Sequence, residues 1–330
     1  MRRSVWVHII AALLVLLLLC GDVHPNPGPV LSVGPDRIFL GNNRHPGLQL
    51  LYVAAWNVRT LLESRRTPIR PTAIVARELD RYNIDIAALS ETRILGESVI
   101  EEVGGGYTFF LKGKPVGDKH YHGVGFAIRK KLVKYLDGKF PVGINERLMT
   151  MSIPLEGSTL SIISAYAPTL PQSDEIKDSF YGSLSDAIDD VPASHKLLVL
   201  GDFNARVGTD HTSWENTIGS HGVGNVNSNG TRLLSLCAHN ELSITNTFFQ
   251  QASRYKTTWM HPRTKTWHMI DYVITSHRDI KDVVNTRAMC GTTTWSDHRL
   301  RRSTLAIITR KQPTRRVRLK QAKQSYNANH

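Results

Sequence analysis

Ten short apolar runs, at 48–58, 84–89, 107–111, 124–128, 148–153, 160–165, 197–200, 242–245, 257–260 and 269–274, dominate this chain, and only 72–82, 174–189 and 230–239 have helical spacing. Runs of strand length must bury at least one face, and the continuously apolar ones bury both. Strict alternation of strand and helix fails in the middle of the chain. Two sheets packed face to face, with helices outside, bury so many short strands, so the pattern predicts a mixed α/β domain. Thr72 stands where a cap would open the first helix. At 330 residues, with 41% hydrophobic and 21% charged, the chain suits one large domain with terminal appendages; wholesale disorder, collagen and a multi-span membrane protein are excluded. The three cysteines, Cys20, Cys237 and Cys290, have no C-x-x-C spacing, so a metal here must use oxygen or imidazole ligands.

The termini differ from the middle. Residues 1–29 form a leader: Arg2 and Arg3 precede an apolar run at 5–20, like the start of a secretory signal and short of the roughly 20 residues of a spanning helix. Gly21-Asp22-Val23-His24-Pro25-Asn26-Pro27-Gly28-Pro29 follows. This D-V-x-x-N-P-G-P run resembles the 2A-like ribosome-skipping peptides, which implies a break before Pro29, although His24 stands where those peptides usually have an acid. The leader thus has two possible fates. Release at Pro29 would leave the product in nucleus or cytoplasm, whereas use as a signal implies translocon or membrane contact and the secretory pathway. Residues 30–46 read as a linker, 47–310 as the folded domain and 311–330 as a basic tail. The charge of +13 is concentrated late: 299–330 holds ten Lys/Arg and no acid, leaving +3 on the first 298 residues. Clustered cations of this kind suit a polyanion.

Candidate chemistry lies where apolar strands end in polar groups. Leu197 to Leu200 runs into Gly201-Asp202-Phe203-Asn204, in which Asp202 could orient a water and Asn204 could donate to a phosphate oxygen. Alone, G-D-x-N is equally a turn in which Asp and Asn bond their own backbone. Ile86 to Ser90 delivers Glu91, a plausible ligand for a hard cation, and Ala54-Ala55-Trp56 delivers Asn57. Asp271 follows Met269-Ile270 in an apolar run, so it needs a partner, and His298 of Ser296-Asp297-His298 is the economical one. Asp297 faces a different way and could face a metal.

W-N-V (56–58), S-E-T (90–92), A-Y-A-P (165–168), G-D-F-N (201–204), I-D-Y (270–272) and S-D-H (296–298) occur in this order over about 240 residues. The ordered set resembles the endonuclease/exonuclease/phosphatase superfamily across roughly 48–308. The resemblance implies a four-layer α/β/β/α sandwich with its site at one edge of the two sheets. It makes Glu91 the principal Mg²⁺ ligand (Mn²⁺ as substitute), with Asn57 and Asp297 supporting the metal region. Asp202 would align or deprotonate water, Asn204 and Tyr166 would hold phosphate oxygens, and His298, oriented by Asp271, would meet the scissile phosphate. Thr257 matches an assisting threonine of retroelement members, and His122 in H-G-V-G-F is a further, less secure position. The stretches I-N-E-R-L-M-T, G-D-F-N-A-R-V-G, K-T-T-W-M-H-P and T-W-S-D-H-R-L look like the endonuclease domains of LINE-type (non-LTR) retrotransposons and the craniofacial development protein 2-like sequences. That likeness implies an enzyme that nicks one strand of target DNA to leave a 3′-hydroxyl; the chain is further expected to be a monomer that uses no small-molecule cofactor. The rivals are a same-fold phospholipid or phosphoinositide hydrolase and a non-catalytic DNA- or chromatin-binding derivative.

Overall fold

The computed structural model describes residues 48–63, 69–136 and 138–308; the leader, the linker and the basic tail lie outside the described residues. β1 (Leu48–Asn57) lies between antiparallel β15 (Leu300–Ile308) and parallel β2 (Ile86–Ser90) in a seven-stranded sheet of order β14-β15-β1-β2-β5-β4-β3. Its other members are β3 (Glu97–Glu102), β4 (Tyr107–Lys112), β5 (Val124–Arg129) and β14 (Val283–Met289). The second sheet has six strands, ordered β10-β13-β9-β8-β7-β6. They are β6 (Val142–Asn145), β7 (Leu148–Pro154), β8 (Thr159–Tyr166), β9 (Lys196–Asp202), β10 (Leu242–Ile244) and β13 (Asp271–Ser276). A hairpin of β11 (Trp259–Met260) and β12 (Trp267–His268) completes the strands among the described residues.

Side-chain alternation along the strands sorts the core into three layers. Val53, Ile86, Phe126, Ile162, Leu200 and Val273 meet between the sheets. On the outer face of the first sheet, Val75 and Leu79 of α1 (Pro71–Arg81) pack on Trp56, Leu89 and Phe109. After the short helical turn α2 (Lys130–Val133) come α3 (Asp174–Asp189) and α4 (Ser228–His239); their Phe180, Leu184, Leu233 and Leu234 cover Ile163, Val199 and Ile274 of the second sheet. The result is helix, sheet, sheet, helix, the four-layer arrangement expected.

Some boundaries move. Thr72 is no cap: α1 opens on Pro71, whose missing N–H costs nothing there, and the buried Thr72 hydroxyl donates instead to Glu102 Oε1 at 2.5 Å. The run 269–274 becomes a strand only from Asp271, and Thr257 and Thr258 precede the two-residue β11. Strands β3, β6 and β14 are not announced by apolar runs, because β3 and β6 are edge strands that alternate exposed and half-buried residues and β14 buries only part of its length.

Candidate active site

The strand directions gather the polar ends. β1 runs parallel to β2, and β8 parallel to β9, so Asn57 is registered against Ser90 and Tyr166 against Asp202. β13 enters antiparallel, opposite β9, with Asp271 facing Asp202. β15 enters antiparallel to β1, bringing the preceding His298 to the same edge, where Trp56 Nε1 donates to the His298 carbonyl at 3.1 Å. Gly201 permits the β8–β9 approach, since a Cβ there would lie 1.8 Å from the Ala165 carbonyl oxygen.

Two linked sets of groups result. In the first, both hydrogens of the Asn57 amide are used, Nδ2 donating to Glu91 Oε1 and Asp202 Oδ2, each at 2.9 Å. The Tyr166 hydroxyl also donates to Glu91 Oε1, at 2.8 Å, and Arg93 donates to Oε2 at 3.1 Å. In the second set, His298 Nδ1 lies 3.0 Å from Asp271 Oδ2, and its Nε2 lies 4.0 Å from Asp202 Oδ2. A carboxylate only accepts, so Nδ1 carries its hydrogen and Nε2 points away from Asp271. Asp202, Asp271 and His298 are all buried, with ligand atoms within 4.8 Å of one another. Among the described residues Asp271 Oδ1 has no hydrogen-bond partner.

Burial dominates the electrostatics. It raises the Asp202 carboxyl well above the usual carboxylate range, and the charge of Asp271 adds to this. At His298 burial works against the imidazolium, yet the charge and hydrogen bond of Asp271, with Asp202 behind them, raise the pKa to about 9. Burial followed by the Glu91 charge pushes the Tyr166 hydroxyl far up, which keeps it a donor. His122 is lowered to about 4 by burial and the Arg147 charge, so it is neutral near pH 7; Arg147 reaches its Nε2 at 3.2 Å.

Backbone strain concentrates here as well. Among the described residues nine non-glycine positions have positive φ, and five of them (Arg59, Glu91, Arg93, His122 and Asn204) belong to the loops at this edge. Such conformations cost free energy and persist where surrounding structure holds them, a recurring property of functional sites. Asn204 fulfils the turn reading: its N–H donates to Asp202 Oδ1 at 2.9 Å, and its Nδ2 to the Ala167 carbonyl at 3.0 Å.

Asn57, Glu91, Tyr166, Asp202, Asp271 and His298 are therefore brought together. Asp297 is exposed, and its Oδ2 accepts from the Trp259 indole at 3.0 Å on the hairpin side. Thr257 is buried against Ser253 and Arg299, while its neighbour Thr258 places a hydroxyl 3.4 Å from the backbone N–H of Asp271. Sequence reasoning passed over Thr258, Trp56 and the role of Ser296, for which no local signal exists. The Ser296 hydroxyl donates to the Asn57 carbonyl at 2.6 Å and accepts from the His298 N–H at 3.0 Å, clamping two motifs 239 residues apart. Ser296→Ala leaves both groups unpaired, so a loss of about 2 kcal/mol is expected in denaturant unfolding; no change in midpoint would refute the clamp.

The model of the endonuclease/exonuclease/phosphatase family matches residues 54–298, and the chain belongs to that family. Craniofacial development protein 2 of Bos taurus is 29% identical over 248 residues, 75% of this chain; the chain spans about 40% of the length of that relative. The fold is similar to AP endonuclease LMAP of Leishmania major (TM-score 0.57, 17% identity, covering 78% of this chain and 88% of that one). It is also similar to the endonuclease domain of TRAS1, a telomere-specific non-LTR retrotransposon (TM-score 0.52, 15% identity, covering 79% and 100%).

Proposed function

We propose that the chain is a divalent-metal-dependent DNA endonuclease of retrotransposon type, nicking one strand to leave a 3′-hydroxyl. The observation that carries this reading is the placing of a buried Asp271–His298 pair against Asp202, with Asn57 joining Asp202 to the more accessible Glu91. The donor set fits Mg²⁺, with Mn²⁺ as substitute, because it is built of carboxylate oxygens without a thiol, and Asn57, whose amide oxygen accepts from the Arg59 N–H at 2.8 Å, supports it by holding Glu91 and Asp202 through Nδ2. Mg²⁺ keeps several waters, which suits Glu91, whose side chain is 22% exposed, and suits the exposed Asp297 better than the closed Asp202–Asp271–His298 cluster. Glu91 would hold the ion, with Asn57 and Asp297 supporting it, and when bound it supplies positive charge at the phosphate oxygens.

The remaining roles follow from the chain's own groups. Asp202, with its carboxyl raised toward neutral pH, is matched to take a proton from the attacking water. Asn204 keeps one amide hydrogen, beyond that given to Ala167, for a non-bridging oxygen; Tyr166 would turn its one hydroxyl hydrogen from Glu91 to another when substrate binds, and Thr257 supports the wall of the cleft. His298 presents Nε2–H to the charge that builds on phosphorus-bound oxygens, and Asp271 fixes the ring. Water's oxygen joins phosphorus, the bond to the 3′ oxygen breaks, and that oxygen departs with a proton.

Full-length protein with supercoiled plasmid tests the reading. Open circles bearing polymerase-extendable 3′ ends are expected with Mg²⁺ or Mn²⁺ and not with EDTA. Intact plasmid alongside hydrolysed sphingomyelin would establish the phospholipid alternative, and plasmid binding without nicking would establish a non-catalytic derivative.

A further inference from the structure

One cationic feature lies outside the residues assigned above. It begins at Arg299, beside His298, whose guanidinium stacks on Trp267 at 3.3 Å from the ring centroid and donates to the Arg254 carbonyl at 3.0 Å. Arg254 and Arg287 both lie over the Tyr255 ring, at 4.8 and 4.1 Å. Arg287 is registered against Arg302 across β14 and β15, and Arg302 donates to the Tyr82 carbonyl at 3.2 Å. Arg81, over the Tyr82 ring, ends the series by donating to the Gly291 carbonyl at 2.8 Å. β14 is the free edge of its sheet, so the series lies along an open margin of the fold.

Charge on this margin is largely uncompensated: among the described residues only Arg81 of the five arginines pairs with a carboxylate, Glu78 at 3.4 Å. Among the described residues Arg254, Arg287, Arg299 and Arg302 have no carboxylate within 4.0 Å, whereas Arg129, Lys196, Arg232 and Arg278 elsewhere each have one or more. The segments 251–256, 283–291 and 298–308 contain no Asp or Glu. Their contacts use carbonyl oxygens and ring faces, which orient each guanidinium and leave donors over. Planar forks held in this way match phosphate oxygens. Among the described residues Val284 is the single large exposed hydrophobic on these segments, too little apolar surface for insertion into a lipid layer.

We propose that Arg254, Arg287 and their neighbours form a track for the phosphate backbone of duplex DNA flanking the cleft, an inference that rests on the reading of the chain as a DNA endonuclease. Each phosphate contact releases condensed counterions and adds about 0.9 to the slope of log affinity against log salt. For the full-length chain, the double substitution Arg254→Gln and Arg287→Gln is therefore expected to reduce the magnitude of that slope by about 1.8. Over a fourfold rise in salt the wild type then loses about tenfold more affinity than the variant. Arg254→Lys with Arg287→Lys keeps the charge and is expected to keep the slope, which a purely structural role of the arginines on Tyr255 would not.

Four results would overturn the track: an unchanged slope in the glutamine variant, equal losses in both variants, no duplex binding by the wild type, or loss of binding to phosphatidylserine vesicles with duplex binding retained. A wild type that nicks plasmid but shows an unchanged slope on substitution removes the track and leaves the nuclease reading intact. One that shows the slope difference but never nicks does the reverse.

Discussion

His298→Ala is expected to slow plasmid nicking by about 10³-fold at neutral pH, the scale on which a positioned acid–base group or charge-stabilising donor acts. The imidazole is buried, and its Nδ1 is committed to Asp271 at 3.0 Å, so only Nε2 remains to meet substrate. Its pKa of about 9 makes it a cation at neutral pH, able to donate to a phosphate oxygen as charge accumulates there. If the protonated form is the active one, the rate falls as pH rises through about 9. Asp271→Asn removes the charge that holds the proton and leaves burial, which favours the neutral ring, so the falling limb should shift several units downward. At neutral pH that variant should lose about 10²-fold or more, with part of the rate recovered on acidification. A pH–rate profile of Asp271→Asn parallel to that of the wild type would refute the role of the pair, and comparable nicking by His298→Ala would locate the activity elsewhere.

The pair shows how far a sequence can be read. Asp271 was legible because an acid at the start of an apolar run is costly without a partner, and His298 because S-D-H was the available complement. The strands β2 and β9 were legible for a related reason: each is buried along nearly its whole length and so reads as continuous apolar sequence. Glu97–Glu102 was not, because an edge strand with exposed alternate residues resembles a polar loop. Cross-chain clamps were hidden for a different cause. Ser296 and Trp56 matter through bonds spanning 239 and 242 residues, a property of register between β1 and β15 rather than of either segment. Thr257 and Thr258 illustrate the limit at finer scale. Both are buried, and which of two adjacent hydroxyls serves Asp271 depends on where the strand begins, which is one residue after them.

Glu91→Ala is expected to reduce nicking by a similar factor through a different cause, and the two can be separated by metal. Glu91 sits at φ +54° and accepts from Asn57, Tyr166 and Arg93, so three donors are arranged around one carboxylate in a strained backbone position. Three donors on one carboxylate stabilise negative charge at the mouth of the cleft, which is what a divalent cation requires of its ligand. Losing the carboxylate should weaken Mn²⁺ binding, measured by calorimetry, by at least the roughly 10- to 100-fold that changes behind a metal ligand cost. Raised Mg²⁺ should restore part of the rate in Glu91→Ala and none in His298→Ala, because the second variant has its metal and lacks its donor. Unfolding should distinguish them too: Glu91→Ala relieves a crowded anion but strands the buried donors of Asn57 and Tyr166, so its stability change should stay within about 1–3 kcal/mol. Unaltered Mn²⁺ affinity in Glu91→Ala would place the cation on other ligands, with Asp297 the next carboxylate to replace.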